Sequence, residues 1–127
     1  MTRESIFLLL AAAGLVPVAL SYGLMPQESM SYLYDIDASS VNSHHIFRAV
    51  MGLYFAQVIF WIAGARKPSL TLPALWTLAI FMLGLAAGRA LSIVVDGMPH
   101  PLLLAYLVLE IGFGSVSLYL ATKFQTR

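Results

Sequence analysis

Four apolar runs separated by short polar turns divide the chain, at about 5–25, 44–64, 72–95 and 101–122. Each lies near the ~20 residues that a helix needs to cross a hydrocarbon layer of roughly 30 Å. The pattern predicts an all-α protein, with residues 1–127 forming a single transmembrane domain folded as an antiparallel four-helix bundle. Pro17 is expected to bend the first helix, which membrane helices tolerate, and Pro26 to close it.

Residues 26–43 are expected to form the one long connection, carrying Glu28, Asp35 and Asp37 and lying along the membrane interface with Tyr32 and Tyr34. Asn42 or Ser43 is the expected N-cap of the second span. That span ends in a basic turn, Gly64-Ala65-Arg66-Lys67-Pro68, and the third starts around Leu72-Pro73 and ends at Asp96-Gly97. The fourth starts at Pro101, a favourable first-turn residue, and ends before Lys123.

Composition agrees with a membrane setting. Hydrophobic residues make up 60% of the chain and charged residues only 10%, against roughly a quarter in soluble domains. A net charge of +1 from scattered basic residues gives no footprint for nucleic acid. The absence of cysteine excludes disulfides, thiolate metal sites and cysteine nucleophiles. The first apolar run imitates a signal peptide, but it is long enough to span, so it is read as a retained helix. With alternating spans, Arg3, Arg66, Lys67, Lys123 and Arg127 fall on one side, which the positive-inside rule makes cytoplasmic along with both termini.

Three ionisable residues, Arg48, Arg89 and Glu110, remain inside the runs. Each costs about 2.5–3.5 kcal/mol at the bilayer centre on insertion scales, so each is expected to face the bundle and find a partner. Arg89 lies roughly 10 Å below the end of its helix at Asp96, and Glu110 roughly 13 Å below Pro101. Side chains lean toward their helix N-terminus, so these two lean to a common depth across a tight turn and should form an ion pair. Tyr106, Glu110, Gly114 and Ser117 make one polar-to-small stripe, and Leu85, Arg89, Ser92 and Asp96 make another. Gly84, Gly88 and Ser92 add a small-residue pattern suited to a close helix or dimer contact. On the second span His44, Arg48, Gly52 and Phe55 share one face while Tyr54, Gln57 and Trp61 share another, and Arg48 is placed to reach outward toward Asp96.

Other chemistries fare less well. His44, His45 and His100, with Met25, Met30 and Met98 near in level, are weak candidates for a metal site because their spacing matches no ligand motif. Tyr22, Tyr54, Tyr106, Trp61 and Trp76 could line a cofactor pocket, but packing and interface anchoring account for them more simply. There is no Ser/His/Asp constellation, phosphate-cradling loop or zinc-protease motif, so neither an enzyme nor a cofactor is expected.

Phe47-Arg48-Ala49-Val50-Met51-Gly52-Leu53-Tyr54, Gly88-Arg89 with Ser92, Asp96-Gly97-Met98-Pro99 and Leu109-Glu110 resemble a family of small bacterial membrane proteins. It is catalogued as domain of unknown function 4345, and the resemblance runs from the second span to the end. It implies four transmembrane helices in a bacterial cytoplasmic (inner) membrane and assigns no activity. Arg48, Tyr54, Arg89, Asp96 and Glu110 fall on the positions that identify the family. The first functional expectation is a non-catalytic accessory or scaffold subunit, or a small homo-oligomer, whose partners are the bilayer and a larger membrane complex. The alternative is a binder or carrier of a small polar or anionic molecule in an outward-facing pocket. Arg48, Tyr54, Arg89, Ser92, Asp96, Tyr106 and Glu110 are its candidate ligand-binding residues.

Overall fold

The computed structural model describes residues 1–126; Arg127, expected on the basic side, lies outside the described residues. Those residues form helices α1 (Arg3–Gly23), α2 (Pro26–Tyr34), α3 (Val41–Arg66), α4 (Pro68–Asp96) and α5 (Pro101–Gln125). All but α2 are long and apolar enough to cross a membrane. Their outward surfaces are apolar too, with Val94 83% and Val108 70% exposed, which suits a lipid solvent and marks a multi-pass membrane protein.

Local chemistry sets the boundaries, sometimes away from the expected residues. The N-cap of α3 is Ser40, whose extended backbone lets its hydroxyl accept the Ser43 N–H at 3.0 Å; Asn42 and Ser43 lie inside the first turn. Helix α4 begins at Pro68, leaving Pro73 within the helix. Pro68 needs no N–H at a helix start, and the Thr71 hydroxyl ties the turn together by donating to the Gly64 carbonyl at 2.7 Å. Pro17 likewise sits inside a continuous α1.

The long connection expected at 26–43 contains a helix, α2. Pro26 occupies the first position of α2, and Asp35 ends it in the left-handed region at φ 58°, a conformation Asp tolerates. Pro26, Met30 and Tyr34, at i, i+4 and i+8, supply the buried stripe of α2.

Helix α1 packs along α3, α3 along α4, and α4 along α5. Leu8 near the start of α1 meets Gly64 near the end of α3, while Gly23 meets Met51. Toward the α3–α4 turn Leu8, Trp61, Leu75 and Leu78 are fully buried. Close approach there requires glycine: a Cβ on Gly64 would overlap that of Ala74. Gly114 similarly admits Leu83, whose side chain would lie 2.7 Å from an added Cβ. Buried Ser117 donates its hydroxyl to the Leu75 carbonyl at 2.7 Å, fastening α5 to α4.

Candidate functional site

Away from that turn the bundle holds a cavity of about 90 Å³. Its walls come from α1 (Ala11, Gly14, Leu15, Val18, Tyr22), from Tyr54 of α3, and from facing residues of α4 and α5. Arg89 and Glu110 supply its charge and Tyr22, Tyr54 and Tyr106 its hydroxyls, within an otherwise apolar lining.

The Arg89–Glu110 pair is bidentate. Arg89 Nε donates to Glu110 Oε1 at 3.0 Å and an Arg89 terminal nitrogen donates to Oε2 at 2.9 Å. Both side chains are withdrawn from solvent, to 16% exposure for Arg89 and 8% for Glu110. The lean of each side chain toward its own helix N-terminus, on either side of the Gly97–His100 turn, produces this meeting, as the residue spacing predicts. Parallel N–H···O bonds fix the guanidinium plane and use both carboxylate oxygens. A guanidinium has five N–H donors; Glu110 takes two and the Tyr22 hydroxyl is near enough to take a third, so the pair is charge-balanced yet keeps donors for another acceptor.

Aromatic rings build the end of the cavity nearest α2. Tyr22 stacks against Tyr34 and Phe47 at centroid separations of 6.1 Å and meets Tyr54 edge-on at 5.5 Å. The Tyr34 and Tyr106 hydroxyls are 2.9 Å apart, and the Arg89 guanidinium carbon lies 6.0 Å from the Tyr106 ring centroid. Helix α2 thus packs over Tyr22 and Tyr106 through Met30 and Tyr34.

The structure brings Tyr54, Arg89, Tyr106 and Glu110 together around this cavity and leaves Arg48, Ser92 and Asp96 outside it. Arg48 is exposed, with no hydrogen bond or ion pair among the described residues, and does not meet Asp96. The face of α3 that turns inward is that of Tyr54, Val58 and Trp61, which directs Arg48 and Gly52 away from the bundle. Asp96 instead accepts the Ser92 hydroxyl at 2.7 Å, one turn earlier on its own helix. The stripe on α4 therefore divides: Leu85 and Arg89 line the cavity while Ser92 and Asp96 are exposed.

Of the five aromatic residues considered for a pocket, Tyr22, Tyr54 and Tyr106 line it. Trp61 and Trp76 pack in or against the core. Tyr34, expected along the interface in the 26–43 connection, instead supports the site; the i, i+4, i+8 spacing of Pro26, Met30 and Tyr34 is the signal that reveals it. His100 caps α5, its Nδ1 accepting the Leu102 N–H at 3.1 Å. Among the described residues no three His, Cys, Asp or Glu side chains are grouped to hold a metal ion.

A second, larger hollow of about 560 Å³ lies along α4, where Gly84, Gly88 and Ser92 line an open groove ending at Pro99 and Leu103. Added Cβ atoms on Gly84 and Gly88 would meet nothing within 4 Å, so no helix of this chain occupies their small-residue face. Leu85 and Arg89 line both hollows and form the wall between them.

Neither a curated protein nor a solved structure matches the chain. The profile of one family matches residues 4–121, nearly the whole chain, and includes the paired Arg89 and Glu110 and the tyrosines around them. The chain belongs to the family described as domain of unknown function 4345.

Proposed function

We propose that this chain binds a small amphiphilic molecule between its spans, with the polar end of the ligand at Arg89 and the surrounding tyrosines. The observation that carries this reading is the cavity of about 90 Å³ beside a bidentate ion pair that keeps unused N–H donors. A pair held only for register is best served by dense packing, since empty space forfeits dispersion contacts. The size limits the occupant. An engineered apolar cavity of roughly 150 Å³ takes benzene, so this one takes a head of a few atoms rather than a whole drug-sized molecule. Because Glu110 neutralises Arg89, the preferred head is a hydrogen-bond acceptor such as a carbonyl, amide or carboxylate, and a cation is disfavoured.

The setting we propose is a bacterial cytoplasmic membrane crossed by an antiparallel four-span bundle, with both termini in the cytoplasm. Family membership and the grouping of Arg3, Arg66, Lys67 and Lys123 support that reading. Helix α2 and the α4–α5 turn then lie at the opposite surface.

The test uses octanoate, octylammonium and octane as probes of the protein in lipid nanodiscs, with thermal unfolding as the readout. Octanoate should raise Tm and octylammonium should not, and Arg89→Gln should abolish the octanoate shift. Equal shifts from all three, or an octanoate shift that survives Arg89→Gln, would refute an acceptor site at Arg89.

A second reading, an accessory subunit or small homo-oligomer, is favoured by the unoccupied glycine face of the α4 groove. Gly88→Leu should then lower the assembly mass in mild detergent. An unchanged monomeric mass in native protein and variant would count against it.

A further inference from the structure

We infer that the cavity is entered sideways, from the hydrocarbon of the bilayer, through a window between α1 and α5 whose two sills are Gly14 and Leu109. The inference rests on the binding reading above and specifies its ligand class: a molecule dissolved in the membrane, not one delivered from water.

Helices α1 and α5 are joined on either side of the cavity. At one end the Phe7 and Phe113 rings stack at 5.5 Å. Toward the other end α2 bridges the gap, with the Tyr34 hydroxyl 3.4 Å from Ser21 Oγ of α1 and 2.9 Å from the Tyr106 hydroxyl of α5. Between these closures two cavity-lining residues are also exposed at the molecular surface, Gly14 on α1 and Leu109, 54% exposed, on α5. A lining residue that is also a surface residue marks an opening. Gly14 contributes by what it lacks, since an added Cβ would meet nothing within 4 Å.

Depth and rim chemistry decide what can pass. Gly14 lies roughly 16 Å along α1 from Arg3, and Leu109 roughly 12 Å along α5 from Pro101, which places the window near mid-membrane. Its rim is apolar: Leu10 and Pro17 flank it on α1 and Val108 and Gly112 on α5, all exposed. No water reaches that depth on the lipid side, so a polar solute has no route to the rim. Meanwhile α2, seated on Tyr22 and Tyr106, covers the end nearest the aqueous surface. A molecule with an acceptor head and a hydrocarbon tail meets both demands: the head fits beside Arg89, and the tail runs out between the helices into the lipid.

The experiment uses 3-azioctanol, a photoreactive alkanol that partitions into bilayers, on the full chain in phosphatidylcholine nanodiscs, with adducts mapped by peptide mass spectrometry. In the native protein, adducts are expected on Tyr22, Tyr106 or Glu110. Gly14→Leu and Leu109→Trp, which narrow the window from opposite sills, should each reduce those adducts by roughly tenfold, since obstruction on the scale of a few methylenes carries at least that penalty. Gly52→Leu, on an exposed glycine of α3 with equally open surroundings, should leave them unchanged. Adducts that persist in both window variants would overturn lateral entry while leaving the binding reading intact. Their absence from the native protein would overturn both.

Discussion

The bundle is solid where α3 turns into α4 and hollow where α4 approaches α5. At the solid end Gly64 touches Ala74, Trp61 and Leu75 are fully buried, and the Thr71 and Ser117 hydroxyls bond to backbone carbonyls. At the hollow end sit the ion pair, three tyrosines around a cavity, and the open groove along α4. Lipid tails are as apolar as leucine, so burial from lipid gives helices little reason to associate. Close packing of small residues and interhelical hydrogen bonds must do it instead. The solid end has both. The hollow end adds a charge pair and hydroxyls to the close contact of Gly23 with Met51, and side chains leave the cavity beside Arg89 unfilled. The α3–α4 turn and the candidate site therefore lie at different levels along the helices.

The largest test of that separation removes the ion pair. Arg89→Ala leaves a buried carboxylate without its partner and should destabilise the detergent-solubilised protein by about 3–5 kcal/mol, as broken buried pairs do. Glu110→Gln should cost a similar amount, and the double variant no more than either single, because the residues act as one unit. Unfolding midpoints of the four proteins measure the coupling. Additive losses would mean that the hollow end is held by something other than this pair.

Next in size is a contrast between glycines. Gly64→Ala forces a methyl group against Ala74 and the Leu70 carbonyl, and should cost toward the upper part of the ~1–3 kcal/mol typical of overpacking. Gly88→Ala, facing an open groove, should instead leave stability unchanged or raise it by up to ~1 kcal/mol through helix propensity. Thermal unfolding of both variants reads the difference directly. Equal costs would erase the distinction between the two ends.

A smaller effect separates the two kinds of polar link. Ser117→Ala removes a donor from the Leu75 carbonyl, which is itself part of a helix, and should cost only about 1 kcal/mol. A loss as large as that from Arg89→Ala would move the main polar fastening of the bundle to its solid end.

Much of the fold could be read from the chain because lipid imposes one strong rule. Spanning segments must satisfy their own backbone, so length and apolarity reveal the helices. The Arg89–Glu110 pair was legible for a related reason: a short turn and helical rise bring two costly charges to one depth. Less was legible where a residue's face had to be chosen. Arg48 satisfies the same depth argument as Arg89, yet the inward face of α3 belongs to Tyr54, Val58 and Trp61. Helix α2 was obscured by polar residues and interfacial tyrosines, although its buried stripe follows helical spacing. The cavity itself has no sequence signature, because it consists of what Gly14 and the tyrosines fail to fill.

Arg48 provides the smallest and most discriminating comparison. It carries the same charge as Arg89 and lies about 10 Å into α3 from Val41, but it is exposed and has no partner among the described residues. Its long stem can carry the guanidinium to the headgroup region, so the single chain gains nothing measurable from it. Arg48→Leu should therefore change the unfolding midpoint by no more than the equivalent of about 0.5 kcal/mol, as for surface substitutions generally. A cost approaching that of Arg89→Ala would require a buried acceptor for Arg48 that this chain does not provide. A second copy or another subunit on the exposed face of α3 would then have to supply it, and the accessory-subunit reading would take precedence over the binding one.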